Sequence, residues 1–137
     1  MIWFNDRFRK NQKGQTLVEF ALILPIIIII LFGITEFGRA FYSYIVITNA
    51  AREGARAGVV GKSNDDILAR VKETAPLNPP LEDSDITITP SDKSARTPGV
   101  SMNVEVTYDV DIITPVISNV LGKNTFTLTS KAVMRVE

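Results

Sequence analysis

The sequence predicts an α+β protein: a long amino-terminal helix with a transmembrane half, then a small head containing a short helix and a three-stranded antiparallel sheet. Three observations lead to this prediction. Residues from Phe20 to Thr35 form a run of 16 uncharged, mostly apolar residues. No proline interrupts the chain from Gly33 to Gly61, and apolar and polar residues alternate strictly from Val100 to Ile112. The first two patterns predict the helix, and the third predicts a strand with one buried face.

The composition argues against catalysis. The 137 residues include no cysteine and no histidine, which excludes disulfides, thiol nucleophiles, imidazole bases and the usual zinc sites. Fifteen Lys and Arg balance fifteen Asp and Glu, so no overall charge attracts the chain to nucleic acid. We therefore expect a protein that is not an enzyme, with no cofactor, no metal, no nucleic-acid partner and no small-molecule substrate. An enzyme would need a carboxylate site hidden in the head.

A short basic segment precedes the apolar run. Residues 1–14 carry four positive charges against Asp6 alone, namely Arg7, Arg9, Lys10 and Lys13. This bias predicts a cytoplasmic amino terminus and an extracytoplasmic head. The run itself covers about 24 Å, less than the ~30 Å hydrocarbon core, so we expect a span of about residues 17–38. Glu19 and Glu36 then lie near its two ends.

A secretory signal peptide is the alternative interpretation, because it also combines a basic segment with an apolar stretch. Such a peptide ends at a small-x-small cleavage site. The nearest match, Gly38-Arg39-Ala40, has a charge in its middle, and the apolar run is followed by more helix. These features favour an anchor that is retained.

The whole of residues 15–61 reads as one helix, with a kink expected at Pro25. Along it, pairs at i, i+3 are expected to form between Glu36 and Arg39 and between Glu53 and Arg56. Small residues allow helix backbones to approach closely. They either pack against helices of other chains or face the chain's own head; the candidates are Gly33, Gly38, Ala50, Gly54 and Gly58.

The head is expected to occupy residues 62–137. Asn64 to Asp66 offer caps for a helix over 67–74, and strands are predicted over 86–89, 100–112 and 126–136, with a helix at 113–121. The composition of residues 90–99 predicts a mobile loop. A head of this size has a thin core, so we expect the long helix to cover the sheet through a stripe at helical spacing: Phe37, Phe41, Tyr44 and Thr48.

The segment Gly14-Gln15-Thr16-Leu17-Val18-Glu19 stands at the junction of the basic segment and the apolar run. At this place it resembles the leader and cleavage site of prepilins. The resemblance implies a cut after Gly14 by a membrane aspartyl peptidase at the cytoplasmic face, with residues 1–14 removed and Gln15 as the new amino terminus.

The chemistry of Glu19 agrees with this resemblance. A carboxylate in the hydrocarbon costs about 2.5–3.5 kcal/mol on insertion scales, so Glu19 needs a partner. Cleavage would supply a cationic α-amino group one helical turn away or on a neighbouring subunit. The alternative is that Glu19 is a solvated acid at the level of the lipid headgroups.

Further segments resemble a narrower family, the TadE-like minor pseudopilins of tight-adherence (Flp-type) pilus machinery. They are the stretch from Gly14 to Pro25, the stretch Asn49 to Gly58, the segment at Pro115, and Ala132 to Arg135. The resemblance implies a pilin-like fold and a single-pass subunit of the cytoplasmic (inner) membrane that helps to assemble an adherence pilus. The implied partners are prepilin peptidase, other pilin-like subunits, the pilus assembly platform and membrane lipid.

Two questions stay open on the sequence alone. Arg52 and Arg56, like charges at i, i+4, either contact a partner subunit or anionic lipid headgroups, or are neutralised by Glu53. The competing function is a signal-anchored extracytoplasmic binding module that has no role in a pilus and keeps its full amino terminus.

Overall fold

The computed structural model describes residues 9–137, with side chains described from Gly14 onward. Three helices and three strands follow one another: α1 (Arg9–Val59), α2 (Asn64–Thr74), β1 (Ile86–Thr89), β2 (Ser101–Asp111), α3 (Pro115–Leu121) and β3 (Thr125–Arg135). Short 3-10 turns at Asp83–Asp85 and Lys93–Ala95 flank β1. The predicted α+β class is confirmed.

Helix α1 is continuous for 51 residues and contains Pro25. It starts before the predicted residue 15 and ends just before Gly61, whose φ of 80° is a left-handed conformation that glycine adopts without strain. The apolar part of α1 is long and hydrophobic enough to cross a membrane. None of its most apolar residues is buried in the structure. This distinguishes α1 from the core helix of a soluble protein.

The sheet is antiparallel in the order β1-β2-β3, with β2 in the centre. Val106 of β2 lies opposite Ile86 of β1 and Ser130 of β3. The alternation in the sequence is reproduced as burial, since every second residue of β2 points into the core: Met102, Val104, Val106, Tyr108 and Val110. The prediction of a long strand with one wet face is therefore confirmed.

The second half of α1 covers the inner face of this sheet, but with a different stripe from the predicted one. The expectation is wrong for the three aromatic residues, since Phe37, Phe41 and Tyr44 are exposed, whereas the Thr48 hydroxyl lies 3.0 Å from that of Ser130 on β3. The buried stripe is made mainly of small residues: Ser43, Ile47, Ala50, Ala51, Gly54, Ala55 and Gly58. Aromatic side chains would hold the helix away from the sheet, whereas small ones allow its backbone to approach closely.

The close approach is tightest at two glycines. A Cβ atom on Gly54 would lie 2.5 Å from Cγ2 of Val71 on α2 and 3.2 Å from Cγ1 of Val104 on β2. A Cβ atom on Gly58 would overlap the side chain of Met102. Both positions therefore require glycine for packing.

Helix α2 begins at Asn64, three residues before the predicted residue 67, because Ser63 is its N-cap. The Ser63 hydroxyl accepts from the Asp66 N–H, and the Asp66 carboxylate accepts from the Ser63 N–H, which forms a capping box. Hydrogen bonds from the Ser63 side chain and backbone hold the pKa of Asp66 below its usual value. The loss of these bonds would weaken the start of α2.

Residues 90–99 are held in place by Arg96. This side chain is buried and donates to the carbonyl oxygens of Pro90 (3.1 and 3.2 Å) and Lys62 (3.0 Å) and to the side-chain oxygen of Asn64. The prediction of a mobile loop did not include this anchor. A composition typical of loops says nothing about one arginine that ties the loop to the start of α2.

We predict that Gly54→Leu lowers the free energy of unfolding of the full chain in detergent by about 1–3 kcal/mol, because the added side chain meets Val71 and Val104. Gly38→Leu is the matched control. No side chain lies within 4 Å of a Cβ at Gly38, so this variant should be as stable as the parent or slightly more so. Denaturant unfolding of the two variants measures the difference, and equal stabilities would contradict the proposed packing.

Candidate functional site

The junction between the apolar half of α1 and the head centres on Glu36. Its side chain is 6% exposed although it follows the apolar run directly. Oε1 accepts from the N–H and the hydroxyl of Thr114, at 2.8 and 2.7 Å. Oε2 accepts from Nη1 of Arg39 at 2.9 Å, so the predicted pair with Arg39 is present. Arg39 also donates to the carbonyl oxygen of Asp111 at 3.1 Å.

These contacts make Glu36 part of the head. Asp111 is the last residue of β2, and Thr114 lies in the segment that joins β2 to α3, so Glu36 and Arg39 connect α1 to the far end of the central strand. A buried carboxylate with three donors is well compensated, and charge-assisted bonds of this length are strong. The expected span of residues 17–38 included Glu36, whereas the structure encloses this residue in protein.

Helix α3 consequently lies beside the last turn of the apolar run. Its residues Ile117, Val120 and Leu121 line a groove of about 820 Å³ together with Gly33 and Phe37 of α1. Thr114 is a residue that sequence reasoning missed. The Thr-Pro pair at 114–115 is a recognisable helix start, but nothing local indicates a contact with a residue 78 positions away.

The motif residues Gly14, Gln15 and Glu19 lie within a little more than one turn of α1, and all three are exposed. Nε2 of Gln15 donates to Oε1 of Glu19 at 3.2 Å. Helical side chains tilt toward the amino terminus, so the Glu19 carboxylate projects toward the turn that contains residue 15. The geometry brings the acid to the place where cleavage after Gly14 would create an amino group.

The predicted leader carries four basic residues, and the structure describes part of this segment. Arg7 lies outside the described residues. For Arg9, Lys10 and Lys13 only the backbone is described, as the first turns of α1. The kink expected at Pro25 stays a prediction, since the helix is continuous there.

The small residues of α1 divide into two groups. Ala50, Gly54 and Gly58 are buried against the chain's own head. Gly33 and Gly38 precede that contact, and a Cβ at either would meet no atom within 4 Å. The first group therefore packs on the chain's own head. The second group leaves space beside α1, which is compatible with packing against a helix of another chain.

The charges farther along α1 differ from the prediction. Glu53 does not pair with Arg56, because it accepts from Nη2 of Arg70 on α2 at 3.1 Å. The Glu53 hydrogen bond raises the pKa of Arg70. Arg52 and Arg56 are exposed and form no ion pair within the described part of the chain. Among residues 9–137, no group of acidic side chains is arranged to hold a metal ion.

Comparison with known proteins assigns the amino-terminal region. The model of the family described as TadE-like protein matches residues 14–56. The chain carries a TadE-like segment. This segment begins at Gly14, includes the apolar half of α1 and ends where α1 packs on the head. No curated protein and no solved structure matches the chain.

The TadE-like match confirms the resemblance over Gly14 to Pro25 and over most of the stretch from Asn49 to Gly58. The resemblance at Pro115 and at Ala132 to Arg135 lies beyond the matched residues and stays a prediction. A TadE-like segment indicates a subunit related to pilus assembly, and its helix is a candidate single-pass membrane anchor.

We predict that Thr114→Val lowers the free energy of unfolding in detergent by about 1.5–3 kcal/mol, because the Glu36 carboxylate loses a buried donor. The Thr114 hydroxyl makes no capping bond to α3, so the change reports on Glu36 alone. Thr129→Val, at an exposed position of β3, should change stability by no more than about 0.5 kcal/mol. An unchanged unfolding curve for Thr114→Val would show that the junction contributes little.

Proposed function

We propose that the chain is a minor pilin-like (pseudopilin) structural subunit of a tight-adherence (Flp-type) pilus system, processed by prepilin peptidase. It would reside in the cytoplasmic (inner) membrane with its amino terminus inside and its head outside. The observation that carries the proposal is the TadE-like match that starts at Gly14, the residue before the predicted cut. Its role is assembly by helix packing and not catalytic turnover.

The burial of Glu36 supports this proposal through the length of the span. With Glu36 held by Thr114, the uninterrupted lipid-facing run ends near Thr35, and Phe37 follows it as a single exposed side chain. The run from Phe20 to Thr35 is too short for the bilayer, and a helix of about 20 residues that ends at Thr35 begins near Thr16. Glu19 then falls inside the required length. On the head side Glu36 and Arg39 are hydrogen-bonded to the head, so the missing length is better supplied by the segment that contains Glu19.

Removal of residues 1–14 would resolve the energetic problem of Glu19. The new α-amino group at Gln15 would be cationic at neutral pH. This cation is unfavourable beside the positive end of the helix dipole, and the Glu19 carboxylate one turn away offsets it. On an isolated subunit the pair forms within one helix. In an assembly, Glu19 can pair with the amino terminus of a neighbouring subunit, which favours lateral packing of the helices.

Arg52 and Arg56 are the proposed contacts of the head with a partner subunit. Arg52 lies 17 residues beyond Thr35 on α1, a rise of roughly 25 Å above the end of the apolar run. At this height lipid headgroups are out of reach, so an acidic surface on another subunit is the better partner for the two arginines than lipid.

One prediction from this proposal concerns processing of the amino terminus. The protein isolated from its native membrane should lack residues 1–14 and begin at Gln15, as measured by intact mass and amino-terminal sequencing. Gly14→Leu should retain these residues, because a bulky side chain next to the cut bond obstructs the peptidase. The structure has open space at Gly14, so this variant should still fold. A native chain that begins at Met1 in cells containing the peptidase would favour the signal-anchored binding module.

Another prediction from this proposal concerns Glu19. Glu19→Ala should insert in the membrane normally but co-purify with other pilin-like subunits at least about tenfold less, a loss of about 1.4 kcal/mol. Glu53→Ala removes an acid from the same helix within the head, where a half-exposed pair contributes little, and should leave co-purification unchanged. Equal recovery of partners with Glu19→Ala and the parent would contradict the proposed pairing.

A further inference from the structure

The end of the head nearest the apolar run exposes an apolar surface that the pilus role does not explain. It consists of α3 and the residue that precedes its cap, and we call it the foot. Ile113 and Val120 are 68% and 72% exposed, and Val116 and Leu121 are 39% and 49% exposed. Exposure of so many aliphatic side chains on one short element indicates a surface that is covered in the working protein.

The position of the foot is defined by one pair of hydrogen bonds and by one groove that it shares with α1. The Thr114 N–H and hydroxyl hold the start of α3 against Glu36, directly after the apolar run. Farther along α3, Val120 and Leu121 line the same groove as Gly33, which lies inside the run. The foot therefore lies at the height of the last turn of the helix that would sit in lipid. The two apolar surfaces are continuous.

We propose that the foot is a membrane contact, in which α3 rests in the interfacial layer of the outer leaflet and lipid fills the groove between α3 and α1. A bilayer that covers α1 as far as Thr35 must also reach α3, since no residue that the structure describes separates the two surfaces at the groove. This occupant follows from the continuity of the foot with the span, and no additional partner is required.

The charges around the groove agree with a lipid surface. Two charged side chains are among its lining residues, Glu36 and Lys123. Glu36 is enclosed by its hydrogen bonds with Thr114 and Arg39, so its charge is compensated. Lys123 is exposed at the carboxyl end of α3, where an ammonium group can reach lipid phosphates. Asp111 lines a different cavity, together with Arg39 and Tyr42.

The consequence is a fixed orientation of the head. A helix anchored only by its own span can tilt and rotate in the bilayer, whereas a second apolar element beside it restricts both motions. Because the head is packed on α1, the foot would hold α1 and the head in one orientation and direct Arg52 and Arg56 in a constant direction relative to the membrane. This inference depends on the anchoring of α1 in a bilayer but not on any role in a pilus.

The absence of cysteine allows a direct test with single-cysteine variants of the full chain. Val120→Cys probes the foot. Val133→Cys is the matched control, an exposed valine on β3. Val133 lies eight residues beyond Thr125, the membrane-proximal end of β3, a distance of roughly 27 Å. Ile30→Cys probes the middle of the apolar run. Each variant carries a polarity-sensitive fluorophore and is reconstituted in phosphatidylcholine vesicles with and without phosphatidylglycerol.

Quenching by nitroxide-labelled lipid is compared with quenching by aqueous iodide. We expect the probe at Val120 to be quenched several-fold more by the lipid nitroxide, and several-fold less by iodide, than the probe at Val133. The probe at Ile30 should be quenched by lipid alone. Stronger lipid quenching at Val120 in vesicles with phosphatidylglycerol would further support the contact of Lys123 with anionic headgroups.

Three results would contradict the proposal that the foot contacts the membrane. If the probe at Val120 behaves like that at Val133 while Ile30 is quenched by lipid, α1 is anchored but α3 faces water. If Val120 is protected from both quenchers, a second protein chain covers it. If the lipid nitroxide does not quench the probe at Ile30, α1 is not anchored in the bilayer, and α3 cannot contact the membrane in the proposed way. The vesicles contain no pilus component, so the first two outcomes leave the proposed pilus role to its own tests, whereas the third would also contradict a membrane-anchored subunit.

Discussion

The head is built around the close contact between α1 and the sheet. One helix serves two environments: its first half is exposed and apolar, and its second half forms a wall of the head core through Ile47, Ala50 and Ala51. The small residues at positions 50–58 allow this contact, and Gly54 and Gly58 leave no space for a side chain. The head therefore has no complete core without α1. Any contact that fixes the position of α1 also fixes the position of the head.

This shared helix explains why the two acids at the ends of the apolar run have different fates. Glu36 is satisfied inside the protein by Thr114 and Arg39, at the point where α1 meets the head. Glu19 has the amide of Gln15 as a partner, on an exposed turn far from the head. An acid satisfied within its own chain stabilises the fold. An acid that is exposed near the end of a span is free to act between chains, which is the role proposed for it in assembly.

The same junction determines how the head meets the membrane. The Glu36 contact sets the height of α3, and the height of α3 determines which of its side chains face lipid. A single hydrogen-bonded carboxylate thus links the length of the span, the need for Glu19 within it and the position of the foot. The exposed aromatic stripe of α1, with Phe37 and Phe41 stacked at a ring-centroid distance of 6.1 Å, begins at this same level.

Sequence reasoning was enough to predict the class of fold, the long helix and the central strand, and to find the short motif at Gly14 to Glu19 and the TadE-like resemblance. Each depends on local patterns: apolar runs, strict alternation, and a short motif at a defined junction. Tertiary structure alone decided which stripe of α1 is buried, because two neighbouring stripes are both plausible and only steric fit to the sheet selects the one with small residues. It also decided the partners of Glu36, Glu53 and Arg96, since a hydrogen bond between distant residues leaves no periodic signal in either segment.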